Sequence, residues 1–165
     1  MSIKSASMTI VTQSLPDTRK FYETYFNARP IFDCGWYVIL RLTTRHQEPE
    51  ICLMSPQEGM QPFSGGAFFN LLVEDADELH SRLTQAGLTP TVPLEDHPWG
   101  DRGFGLLDPS GVIVYCYHPI APSPEFEKYI MKEGETFWNT LGADSHSMIC
   151  SRFFRSVTGV TPNQR

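Results

Sequence analysis

The sequence predicts an α+β chain built from two tandem βαβββ repeats that form a half-barrel sheet, followed by a helical C-terminal tail. Three observations point there. Hydrophobic periodicity runs in the same order through residues 3–56 and 66–119. Each half closes on a strand-like run followed by proline, LMSP and CYHP. A proline-rich stretch, PIAPSP, then separates the repeats from a segment that fits neither. The predicted organisation is a domain over 1–119, a linker over 120–124 and a helical tail over 125–165.

In the first half, residues 7–12 (SMTIVT) are β-branched and read as a strand. Ser14 is placed as an N-cap before LPDTRKFYETYFNA, and Pro16 falls in the first turn, where its missing N–H costs nothing. Leu15, Arg19, Tyr22 and Phe26 recur three or four apart, as do Phe21 and Tyr25, which predicts an amphipathic helix. Strands follow over 29–33, 36–43 and 50–54, with polar TRHQEPE as a turn.

The second half repeats this order. A strand over 66–73 leads to Asp75, an N-cap for DADELHSRLTQAG, which ends at Gly87. Leu79, Leu83 and Ala86 form its apolar stripe. Strands are expected over 89–94, 102–107 and 112–118, the last two joined by the turn Asp108-Pro109-Ser110-Gly111. Beyond the linker, the chain reads as two helical pieces broken near Gly134 and Gly142.

Net charge is −6, from 13 basic and 19 acidic residues, which argues against nucleic acid as the main partner because phosphate binding needs a basic surface. Cys34, Cys52, Cys116 and Cys150 form no CxxC pair and read as free thiols of a reducing compartment. The N-terminus has no apolar core of a signal peptide, and no stretch is long enough to span a membrane, so a cytoplasmic location is expected.

Two βαβββ units in tandem resemble the vicinal-oxygen-chelate superfamily, the fold of glyoxalases, bleomycin-resistance proteins and extradiol dioxygenases. SLPDTRKFY is similar to the family's first helix start, "DLxxSxxFY". DHPWGDRGFGLLDPSGVIVY resembles its signature "PWGxRxFxxxDPxGxxxE", through Pro98, Trp99, Gly100, Arg102, Phe104, Asp108, Pro109 and Gly111. The resemblance implies a half-barrel with a concave ligand face, completed in a homodimer. It also places the family's metal ligands on the first and last strand of each repeat. Those positions here carry Ser7, Cys52, Phe68 and Tyr115, none of them histidine or carboxylate, with Glu50 two residues from Cys52 on the same face. A divalent metal needs about three hard or imidazole ligands. The histidines, His46, His80, His97, His118 and His146, are scattered over a turn, a helix, a loop, a strand end and the tail. Neither metal nor other cofactor is therefore expected.

Strand alternation adds Asn70, Leu72 and Tyr117 to the concave face beside Cys52, Phe68 and Tyr115, with Trp36 and Trp99 at its border. An aromatic cleft with few polar groups suits a small molecule, and Glu95, Asp96 and Asp101 would favour a cationic one. The expected function is metal-independent binding or sequestration of a small aromatic or cationic molecule, similar to bleomycin resistance. A blander reading makes Phe68, Leu72 and Tyr115 core residues of a collapsed cavity. A second reading is a glyoxalase-like lyase or another enzyme with a non-standard site, in which Tyr115, Tyr117, His97 or Cys52 would supply an acid, base or nucleophile. A third is a DNA-associated regulator. SRFFRSVTGVTPNQR resembles the end of an AraC-type helix-turn-helix through Phe154, Arg155, Thr158, Gly159, Thr161, Pro162 and Arg165, although Gln164 stands where that family has an aromatic residue. The resemblance spans only residues 141–165, too short for a whole module. The tail is expected to be a remnant, or a helix packed on the half-barrel or on a partner subunit.

Overall fold

The computed structural model describes residues 6–44 and 48–130. The tail after residue 130, with its AraC-like motif, lies outside them, as do His46, His146 and Cys150. The first repeat comprises β1 (Met8–Val11), α1 (Leu15–Tyr25), β2 (Ala28–Asp33), β3 (Tyr37–Leu42) and β4 (Glu50–Met54). The second comprises β5 (Phe68–Leu72), α2 (Ala76–Gln85), β6 (Val92–His97), β7 (Asp101–Leu107) and β8 (Ile113–Pro119), and a short α3 (Pro124–Glu127) follows. Each repeat folds into one four-stranded sheet, ordered β1-β4-β3-β2 and β5-β8-β7-β6. In both, the first strand runs parallel to the last and the other pairs are antiparallel.

Alternation decides which face of each sheet is covered. Val38, Leu40 and Leu42 on β3, Ile51 and Leu53 on β4, Phe104 and Leu106 on β7, and Val114 and Cys116 on β8 are buried against the helices. Their neighbours in sequence look the other way, onto an open face. Helix α1 buries Leu15, Thr18, Phe21 and Tyr22. Two expectations for it need correction. Ser14 makes no side-chain cap; its carbonyl instead accepts from the Thr18 hydroxyl at 2.8 Å. Arg19 is not on the apolar stripe but turns outward to Glu23 (2.8 Å) and Asp33 (2.6 Å). Asp75, by contrast, caps α2 as expected, accepting from the amides of Asp77 and Glu78.

Strand β6 begins and ends three residues later than its expected 89–94 span. Among the described residues it pairs only with β7, as an edge strand, so backbone pairing through Glu95, Asp96 and His97 needs no apolar pattern. The register shift between Val92 and Glu95 falls at Pro93, which has no N–H to donate.

One hydrophobic cluster spans both repeats, from Ile10 and Tyr22 to Phe104 and Val114. Its polar tie is Tyr22, whose hydroxyl donates to Asp108 at 2.8 Å across 86 positions of sequence. The other Asp108 oxygen accepts from the Ser110 amide (2.8 Å), the Ser110 hydroxyl (2.6 Å) and the Val112 amide (3.0 Å). The aspartate of the DPSG turn therefore organises the hairpin and joins the repeats. Among the described residues no helix is long and apolar enough to cross a membrane.

Candidate functional site

The open face of the second sheet carries the side chains that core packing does not use. Its rows follow from strand register: Leu72, Tyr117, Gly103 and Glu95; Asn70, Tyr115, Gly105 and Val92; Phe68, Ile113 and Leu107. Phe68 is 53% exposed and Leu72 57%, whereas Phe69 and Leu71 between them pack on the core. Phe68 and Leu72 therefore do not fill a collapsed core, which removes the blander reading for these two. Tyr115 and Tyr117 stack at 5.8 Å, and Phe68 meets the Tyr115 ring edge-on at 6.3 Å.

The polar end of this face is a cluster around Asp101. Residues 97–101 (HPWGD) make a tight turn between β6 and β7, closed by the Gly100 amide donating to the His97 carbonyl at 3.0 Å, with Gly100 at φ +108°. The turn brings His97 and Asp101 side by side, Nδ1 to Oδ1, at 2.8 Å. Trp99 Nε1–H donates to Asp101 Oδ2 at 2.7 Å, and the Trp99 ring stacks on His97 at 4.3 Å. Tyr115 donates to Asp101 Oδ1 at 3.0 Å. It can do so because Gly103 has no side chain, so the phenol lies across β7. Burial, together with the Asp101 carboxylate, raises the Tyr115 pKa well above that of a free tyrosine, so the hydroxyl stays protonated and remains a donor.

Of the eight expected site residues, Phe68, Asn70, Leu72, Tyr115 and Tyr117 share this face, and Trp99 borders it, 53% exposed. Trp36 borders the other sheet instead, at the β2–β3 turn beside Tyr37. Cys52 is only 2% exposed, with the Tyr37 hydroxyl against it and Thr9, so it offers no accessible surface there. Sequence reading placed His97 in a loop and Asp101 only as a flanking charge. Their spacing of four across a Pro-Trp-Gly turn was the available signal.

The family's metal fits poorly here. Ser7 Oγ and Cys52 Sγ lie 3.9 Å apart, Phe68 has no donor atom, and the Tyr115 hydroxyl is committed to Asp101. Glu50, on the Cys52 face, is held by Arg41 at 2.7 Å. One hydroxyl, one thiol and one occupied phenol do not make a hard-ligand site. Asp75, Asp77 and His118 also lie close together on the helix side. Each is engaged: Asp75 by helix amides, Asp77 by Arg102, and His118 Nδ1 by the Ala76 amide at 2.9 Å. A cleft of about 390 Å³ between the end of α1 and the start of α2 touches none of the open-face residues.

A family model, the Glyoxalase/Bleomycin resistance protein/Dioxygenase superfamily, matches residues 4–114, well over half of the chain. The chain belongs to this superfamily. The duplicated βαβββ order of the described residues is consistent with that membership. Solved structures share the fold. TnmS3, an antibiotic binding protein from Streptomyces sp. CB03234, is 20% identical, with 72% of this chain and 98% of that chain covered and a TM-score of 0.58. A lactoylglutathione lyase from Agrobacterium tumefaciens is 16% identical, with 72% and 96% covered and a TM-score of 0.57. A superfamily member from Sphaerobacter thermophilus DSM 20745 is 23% identical, with 71% and 98% covered and a TM-score of 0.56. No curated protein sequence matches the chain.

Proposed function

We propose that the open face of the second repeat binds a small planar aromatic or cationic molecule without a metal, and that the protein acts by sequestration. The observation that carries this is the pair Phe68 and Leu72, more than half exposed on a strand, beside stacked Tyr115 and Tyr117. Apolar surface grouped in this way, rimmed by Glu95 and Asp101, marks a binding site more than a solvated sheet. The faces of the tyrosines and of Trp99 suit stacking and cation–π attraction. The fold shared with an antibiotic binding protein supports the same reading. A lyase relying on a metal is disfavoured by the donor set. In this reading a second copy of the chain, in a homodimer, covers the face.

The test is a thermal-shift screen with aromatic and cationic antibiotics and metabolites, with and without a chelator. A binder stabilises by RT ln(1 + [L]/Kd), about 2.7 kcal/mol at a hundred-fold excess over Kd. The expected result is a shift that the chelator leaves intact, that the Phe68→Ala/Leu72→Ala double variant loses, and that appears on a dimer in light scattering. No shift from any compound, or a shift that survives the double variant, sinks the proposal.

A further inference from the structure

We propose that His97, positioned by Asp101, is a proton acceptor for molecules bound on this face. Their class is neutral planar aromatic or heteroaromatic compounds carrying a weakly acidic proton. The inference rests on the reading of the face as a binding site and adds chemistry to it.

The geometry fixes the tautomer. An ionised carboxylate only accepts, so the imidazole nitrogen 2.8 Å from Asp101 Oδ1 carries the hydrogen when the ring is neutral. That nitrogen is Nδ1, and the lone pair is therefore on Nε2. Three donors converge on Asp101: His97 Nδ1–H, Tyr115 O–H and Trp99 N–H. With both oxygens held, Asp101 cannot swing away, and the ring stacked on Trp99 cannot rotate freely. A base oriented in this manner by a third group is the arrangement general-base chemistry requires.

Nε2, at the other end of the ring, lies 3.6 Å from the carboxylate of Glu95, a residue of the open face. His97, Asp101, Glu95 and Gly103 share the open face by register, whereas Asp96 and Arg102 lie on the helix face, paired at 2.7 Å. The His97 side chain keeps 11% of its exposure. The groups facing it are Asp101 and Tyr115 at Nδ1, the Trp99 ring, and Glu95, whose exposed carboxylate stands 3.6 Å from Nε2. In the step, the ligand's X–H bond breaks, its proton passes to Nε2, and its electron pair stays on the ligand or expels a leaving group. The proton then returns to solvent.

The probe is 5-nitrobenzisoxazole, a planar heteroaromatic whose C–H proton is removed by a base while the N–O bond breaks, releasing a coloured cyano-nitrophenolate. No co-reactant is needed. Binding is read separately, from quenching of tryptophan fluorescence in a Trp36→Phe/Trp138→Phe background, which leaves Trp99. The expected result is release about a hundred-fold or more faster than with the same concentration of free imidazole. The His97→Gln variant should lose turnover at least ten-fold more than it loses binding. Asp101→Asn should move the pH profile and abolish the Nδ1–H tautomer seen by ¹⁵N NMR of wild-type His97. Binding without turnover, or turnover that survives His97→Gln, overturns the proton-acceptor role and leaves the binding face standing. Absence of probe binding overturns the proton-acceptor role for this ligand class; the binding face falls only if the thermal screen also gives no shift.

Discussion

A β-carbon on Gly103 would stand 2.7 Å from the Tyr115 hydroxyl and 2.8 Å from the Cys116 carbonyl oxygen. Both are closer than real contacts allow, and the second is backbone, which cannot swing aside. Gly103 is therefore the residue that lets Tyr115 lie over β7 and donate to Asp101. Gly103→Ala should cost about 1–3 kcal/mol, the usual range for overpacking, and detach the phenol from Asp101. Chemical denaturation measures the cost. Tyr115→Phe, which removes only the hydroxyl, serves as the comparison and should cost less. Equal stability of Gly103→Ala and wild type would contradict the close approach.

At the scale of elements, Arg102 fastens α2 and β6 to β7. Its Nε and Nη2 donate to the two Asp77 oxygens at 2.8 and 2.7 Å, and Nη1 donates to Asp96 at 2.7 Å. A fork on one carboxylate is geometry that only arginine provides. Hydrogen bonds from Arg102, followed by its charge, hold the Asp77 carboxyl below its ordinary value of 3.8. A depressed carboxyl contributes stability above the unfolded-state pKa and loses it as pH falls through the folded one. The melting-temperature gap between wild type and Arg102→Gln should thus be constant above about pH 5 and close as pH drops below about 4. A gap that persists at the lowest pH would mean that packing of the arginine stem, not the ion pair, holds α2.

For the whole molecule, the link between repeats is Tyr22 to Asp108, which is 2% exposed, within a single shared core. Burial and the adjacent Asp108 charge push the Tyr22 pKa far above that of a free tyrosine, so the hydroxyl donates at every accessible pH. Tyr22→Phe leaves Asp108 Oδ2 without this donor and should cost about 1.5–3 kcal/mol, the range for hydrogen bonds to charged groups. Both repeats should still melt in one transition, since a shared core unfolds cooperatively. Two separate calorimetric transitions in the wild type would show that the repeats are independent units.

The sequence by itself determined the duplicated βαβββ order, the Asp75 cap and the face assignment of Phe68, Asn70, Leu72, Tyr115 and Tyr117. Each depends on local periodicity or on turn chemistry a few residues long. It also carried the superfamily, through one motif. What only the tertiary structure decided is which of these side chains meet. Tyr115 reaches His97 and Asp101 from 18 and 14 positions away, Tyr22 finds Asp108 across 86, and Cys52 is covered by Tyr37 from the neighbouring strand. Strand periodicity assigns a face but not a neighbour. Neighbours come from register between strands, and register is set by the packing of the whole sheet. Within the folded sheet His97 meets Asp101, Trp99 and Tyr115, and the last of these comes to it only through strand register.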